Sequence, residues 1–160
     1  MLQQPRRASA TVVDQACNPP ILKVTMRRSR SVARGRRHPP RILIIEDEFL
    51  IALLIEEISR DIGYRISGIA HNTAEARAAL AKRNFDAVLL DINLDGRSDP
   101  EIADLLVKRG IPFGFVTGYE YVIEPRHETV PILEKPFTSG ELRAFLEKLT
   151  GPAMVGASAP

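Results

Sequence analysis

The stretch Arg41-Ile42-Leu43-Ile44-Ile45-Glu46-Asp47-Glu48 decides how the chain is read. Four consecutive aliphatic residues run into a group of acids. A strand that is apolar at every position has no solvent face, so both faces must be covered, as in a parallel sheet flanked by helices. The same signature returns at Ala87-Val88-Leu89-Leu90, closed by Asp91, and at Phe113-Gly114-Phe115-Val116, closed by Thr117. Weaker apolar runs occupy Tyr64–Ala70 and Val130–Leu133.

Between these runs the period changes to that of a helix. Ile51, Leu54, Ile55, Ile58 and Ile62 recur at helical spacing, with Glu56, Glu57, Arg60 and Asp61 interleaved. Asn72 with Glu75, Ser98 with Glu101 and Thr138 with Glu141 have the spacing of capping boxes. Gly63 and Gly110 stand where helix ends are expected. The pattern predicts strands at 41–46, 64–70, 86–91, 112–117 and 130–134. It predicts helices at 48–62, 73–83, 99–109 and 139–149, with a short or irregular one near 119–125. Strict alternation of this kind implies a doubly wound α/β fold with a five-stranded parallel sheet.

Outside this block the composition differs. Residues 1–41 hold ten Lys and Arg against the single acid Asp14, a net +9, and the other 119 residues hold 12 bases and 19 acids, a net −7. The first 40 residues show no sustained period and carry five prolines, so they are expected to form a disordered basic arm, and 151–160 a disordered tail. Met26 would open a shorter reading that keeps Arg27–Arg37. One domain, 41–150, is expected between the two flanks. A lone Cys17 excludes an intramolecular disulfide and points to a reducing compartment. The longest strongly apolar run, Phe49–Ile55, is seven residues, well short of the roughly 18 that a membrane span needs. There is no continuous apolar signal segment at the N-terminus, so a cytoplasmic location is expected.

In doubly wound sheets the chemistry lies at the carboxyl ends of the strands. Glu46 and Asp47 follow the first run, Asp91 the third, Thr117 the fourth, and Glu134 and Lys135 the fifth. Carboxylates crowded at one edge repel, and a divalent cation relieves that repulsion. Oxygen donors of this kind suit Mg²⁺, whereas His38, His71 and His127 lack zinc spacing. One of the carboxylates is also a possible nucleophile toward phosphorus, with Lys135 and Thr117 binding the phosphoryl oxygens. Met and Phe residues are expected in the core and the histidines at the surface.

The motifs Ile44-Ile45-Glu46-Asp47-Glu48, Leu90-Asp91-Ile92-Asn93-Leu94, Val116-Thr117-Gly118 and Glu134-Lys135-Pro136-Phe137 together resemble the receiver domain of two-component response regulators. The resemblance covers about 41–150 and implies a flavodoxin-like sheet of order 2-1-3-4-5. It implies that Asp91 accepts a phosphoryl group from a sensor histidine kinase or phosphotransfer protein. Glu46, Asp47, Asp91 and the backbone carbonyl of Asn93 would hold Mg²⁺, Thr117 would hydrogen-bond the phosphoryl group, and Lys135 would pair with it. It also implies a cis Lys135-Pro136 bond. The stretch Ile111–Tyr119 with Val130–Phe137 is similar to the FATGUY receivers of alphaproteobacteria, with Val116 in place of the motif's Ala.

Receivers usually carry Tyr or Phe three positions before the Lys, and here that residue is Ile132. An aliphatic chain cannot swing an aromatic ring inward, so the response is expected in the 119–130 segment, as an order–disorder change. No output domain is expected after residue 150. The function implied is a single-domain response regulator that signals by protein contact, on a downstream target the sequence does not name, or acts as a phosphate sink, without turnover of a separate substrate. Three alternatives are weaker. An aspartyl-phosphate hydrolase would want a second acid two residues after Asp91, where Asn93 stands. A pseudo-receiver would not accept phosphoryl groups. A nucleic-acid binder would act through the arm, with salt-dependent and sequence-independent affinity only.

Overall fold

The computed structural model describes residues 38–94, 97–98, 100–118 and 123–151. The arm before residue 38, the tail after 151 and residues 119–122 therefore lie outside the described residues. Chain order is β1 (Arg41–Ile45), α1 (Phe49–Asp61), β2 (Arg65–Ala70), α2 (Thr73–Lys82), β3 (Ala87–Asp91), two short strands β4 (Asn93–Leu94) and β5 (Arg97–Ser98), α3 (Pro100–Arg109), β6 (Phe113–Thr117), a 3-10 turn Pro125–His127, β7 (Ile132–Glu134) and α4 (Ser139–Thr150). The large sheet runs β2-β1-β3-β6-β7 and is parallel throughout, while β4 and β5 form a small antiparallel pair. With that pair set aside, the order is the expected 2-1-3-4-5.

Strand alternation explains why the apolar runs have no polar member. In β1, Leu43 and Ile45 join one core with Val88, Leu90, Phe113 and Phe115, under Ala76 and Leu80 of α2 and Ile102 and Leu106 of α3. Ile42 and Ile44 join the other core with Ala87, Leu89 and Val116, under Ala52 and Ile55 of α1 and Leu142 and Leu146 of α4. Each fully buried Leu or Ile contributes about 1.5–3 kcal/mol relative to exposure, so losing either cover would unfold the sheet.

The caps are uneven. Thr138 and Glu141 form a complete capping box, with the Thr138 hydroxyl accepting from Glu141 N and the Glu141 carboxylate accepting from Thr138 N. Asn72 caps α2 by accepting from Glu75 N. Ser98 does not precede a helix directly: it sits in β5, and α3 starts at Pro100. Gly63 and Gly110 hold positive φ of 94° and 62°, as helix-ending glycines do. The described part of the expected 119–125 helix contains only the 3-10 turn at Pro125. Proline fixes φ but offers no N–H, which suits a single turn and not a continuing helix.

Two expectations about side chains are corrected. Phe49 is 65% exposed, at the first residue of α1. His127 is 3% exposed, packed edge-on to Phe115 with ring centroids 6.2 Å apart.

Gly114 is required by α4. A Cβ there would lie 2.4 Å from the Phe145 ring and 3.2 Å from the Pro131 carbonyl. The ring is itself buried and cannot withdraw. Gly114→Ala is expected to cost about 1–3 kcal/mol by overpacking, whereas Gly118→Ala, whose added methyl meets nothing within 4 Å, should be close to neutral; urea unfolding of the two variants checks this.

Candidate functional site

Each strand end delivers a different group to one edge of the sheet. Glu46 follows β1, Asp91 closes β3, Thr117 closes β6 and Lys135 follows β7. Strand pairing puts Asp91 beside Val116, one residue before Thr117, and Thr117 beside Glu134, one residue before Lys135, so the four groups step along one edge of the sheet. The Lys135 amide adds to this by donating to the Thr117 carbonyl at 2.6 Å. Lys135-Pro136 is a cis peptide bond, as expected.

Lys135 Nζ donates to Glu46 Oε2 at 2.7 Å and to Asp91 Oδ2 at 2.9 Å, tying β7 to β1 and β3 by charge. Asp91 Oδ1 accepts from Asn93 N at 3.0 Å, a bond to the second residue on that turns the chain just after the strand. Both carboxylates are buried, Glu46 at 1% and Asp91 at 7% exposure. Among the described residues, two polar atoms in this edge have no hydrogen-bond partner, Glu46 Oε1 and Thr117 Oγ1. Buried polar atoms are rarely left so, and a group that supplies both a cation and acceptor oxygens would satisfy them.

Among the described residues, the carboxylate oxygens of Glu46, Glu48 and Asp91 come within 4.8 Å of one another. Glu48 was not among the expected ligands, although it stands in the same motif; Asp47 lies outside this trio, at an edge position between the two glutamates. Oxygen-only donors and an orphaned buried carboxylate oxygen fit a hard divalent cation such as Mg²⁺. Burial, followed by the neighbouring Asp91 carboxylate, pushes the Glu46 carboxyl up to about 8 against the opposing pull of Lys135. Burial works against the Lys135 ammonium, but its bonds to Glu46 and Asp91 outweigh that and hold it above the ordinary lysine range.

Two histidines enter where the sequence pattern gave no signal. His71 Nδ1 bonds the Glu46 carbonyl at 2.9 Å, and its ring lies against Phe49 with centroids 6.0 Å apart. On the other side of the sheet, His127 Nε2 meets Asp104 Oδ1 at 2.9 Å, and Arg126 donates to both Asp104 oxygens at 2.8 and 3.2 Å. These contacts clamp the 3-10 turn onto α3, and the Arg126 guanidinium holds the Asp104 carboxyl below the usual range. Ile132 is half-buried, packed against the Phe113 and Phe115 core. The position expected to lack an aromatic ring is thus filled by an aliphatic side chain packed against that core.

Parallel strands ending in buried acids, a lysine bridging them and an unpartnered threonine hydroxyl define a receiver-type site. Residues 42–147 match the family model of the response regulator receiver domain, and the chain belongs to that family. Among its relatives is the phyllosphere-induced regulator PhyR of Methylorubrum extorquens, 33% identical over 112 residues, which are 67% of this chain and 42% of PhyR. The chain therefore spans less than half of that relative. The solution structure of SdrG from Sphingomonas melonis Fr1 is 36% identical with a TM-score of 0.62, covering 69% of this chain and 96% of SdrG. The BeF3-activated conformation of SdrG is 33% identical with a TM-score of 0.62, covering 72% of this chain and 99% of that one. Among the described residues no helix is long and apolar enough to cross a membrane.

The sign of the pH dependence follows from Glu46. Its folded pKa, about 8, lies above the ordinary 4.5, so the neutral acid favours the folded state. That contribution is complete below about 4.5, declines as the pH rises toward about 8, and is absent above it. Without divalent cations, Glu46→Gln is expected to flatten the fall in stability across this window, read by thermal unfolding at a series of pH values.

Proposed function

We propose that the chain is a single-domain response regulator whose Asp91 accepts a phosphoryl group from a histidine kinase or phosphotransfer protein. Domain bounds on this reading are an arm at 1–40, a receiver at 41–150 and a tail at 151–160, in a cytoplasmic protein. The observation that carries it is the Lys135 bridge between Glu46 and Asp91 beside the orphaned Thr117 hydroxyl. A buried carboxylate positioned by an ammonium, with a spare donor alongside, is built to receive an oxyanion-rich group.

Chemically, an Asp91 carboxylate oxygen attacks phosphorus, the phosphorus–nitrogen bond of the donor breaks, and the imidazole leaves with a proton. Lys135 then follows the charge from the carboxylate to the phosphoryl oxygens, and Thr117 Oγ1 donates to one of them. Mg²⁺ held by Glu46, Asp47, Asp91 and the Asn93 carbonyl, with Glu48 at hand, would neutralise the phosphoryl charge. No separate substrate is turned over. That SdrG has been solved in a BeF3-activated conformation supports the reading, since a relative takes up an activated conformation with BeF3.

The donor would dock on α1. Leu50 is 76% exposed, and Phe49, Leu53 and Leu54 are also open to solvent, beside Glu48 of the acidic trio. Exposed apolar groups contiguous with a reactive site mark an interaction surface. The response would run through the clamped segment, as loosening of 123–131 from Asp104, ending in contact with a downstream protein or in simple storage of phosphate.

Incubation with acetyl phosphate and Mg²⁺ should add one phosphoryl mass to Asp91, and none in Asp91→Asn or without Mg²⁺; no increment, or one that survives Asp91→Asn, defeats the reading. Leu50→Asp should slow transfer from a kinase about tenfold or more, as the loss of an interface anchor does, while leaving labelling by acetyl phosphate unchanged. Amide exchange in 123–131 should accelerate on phosphorylation; equal rates would remove the proposed route of response.

A further inference from the structure

The β1–β2 ladder ends in an unusual way. Backbone pairing runs to Ile45 with Ala70, and Glu46 N still donates to the Ala70 carbonyl at 3.0 Å. Past Ala70 the chain leaves the sheet, because Asn72 is already the N-cap of α2. The Glu46 carbonyl has no strand beside it to supply the next donor. The His71 side chain takes that place, Nδ1 to oxygen at 2.9 Å. A carbonyl only accepts, so Nδ1 carries the hydrogen.

His71 is in turn held from behind. Glu75 Oε2 accepts from the His71 amide at 2.8 Å, Glu75 Oε1 accepts from Asn72 Nδ2 at 2.9 Å, and Glu75 N donates to Asn72 Oδ1 at 2.9 Å. The cap of α2 thus fixes the backbone from which the imidazole reaches β1. Phe49 closes the other side of the ring.

We infer that His71 is a positioning residue for the acidic pocket: by holding the Glu46 carbonyl it fixes the peptide that leads through Asp47 to Glu48, whose carboxylate comes within 4.8 Å of those of Glu46 and Asp91 where a divalent cation would sit. Both hydrogen-bonding groups of the Glu46 backbone are then tied to the end of β2. Partners that orient ligands from outside the coordination sphere commonly govern metal affinity. This rests on the receiver reading for the identity of the cation's site, but it concerns binding and not phosphoryl transfer.

The test is Mg²⁺ binding by isothermal titration calorimetry on the full chain, with thermal unfolding measured alongside. His71→Ala is expected to weaken Mg²⁺ by about 3- to 10-fold, the range that loss of one hydrogen bond gives. His71→Asn, whose Nδ2 lies where the imidazole Nδ1 does, should restore it to within about twofold. Glu75→Ala, an exposed change that releases the His71 amide, should weaken binding in the same direction by less. Labelling at Asp91 by acetyl phosphate should show the same pattern in the half-saturating Mg²⁺ concentration, with the rate at saturating Mg²⁺ little altered. Wild-type affinity in His71→Ala overturns the inference, even if its melting temperature falls. Equal weakening in His71→Ala and His71→Asn, or a wild-type chain that binds no Mg²⁺, overturns it as well. Should wild type bind Mg²⁺ in a His71-dependent way yet take no phosphoryl group, the inference stands and the proposed function falls.

Discussion

Everything at the functional edge depends on one ammonium between two buried carboxylates. Lys135 reaches Glu46 and Asp91 at 2.7 and 2.9 Å, and without it two acids would share an edge that water barely enters. Burying like charges is costly unless they are paired. The sheet accepts this cost because its apolar strands are covered on both faces and leave only their carboxyl ends open. Parallel pairing then brings the three groups to one edge, with Lys135 reaching back from two residues beyond the level of Asp91. The fold is thus the device that forces the acids together, and the lysine is what makes the crowding tolerable.

The elements carrying this arrangement were legible in the sequence. The runs at Ile42, Ala87 and Phe113 are apolar at every position because alternate residues feed two different cores, and that pattern requires no knowledge of tertiary partners. Thr138 with Glu141 and Asn72 with Glu75 were legible for the same reason, as their bonds are local. The convergence of Glu46, Asp91, Thr117 and Lys135 followed from strand ends alone. Ser98 misled because its spacing to Glu101 mimics a cap, while its backbone pairs with Asn93 in a short strand.

The rest was hidden because it depends on contacts between distant residues. His71 meets a carbonyl 25 positions away, and His127 meets an acid 23 positions away; neither has a local spacing that marks it. Phe49 was misjudged because an aromatic side chain was taken as core, whereas it stands in the first turn of α1 and is mostly exposed. Glu48 was passed over as the third of three acids, since the sequence does not tell which of them the turn into α1 brings back toward Asp91.

The two cores have a further consequence. The α1 and α4 side carries the exposed leucines, and the α2 and α3 side carries the Asp104 clamp, yet among the described residues no side chain belongs to both cores. The sheet works as a partition, and the two sides share only its backbone and the groups at its carboxyl edge. Substitutions on one side can accumulate without disturbing the packing of the other. A domain built this way can exchange the partner recognised on one face while the opposite face keeps its own, which lets one architecture be rewired in separate halves.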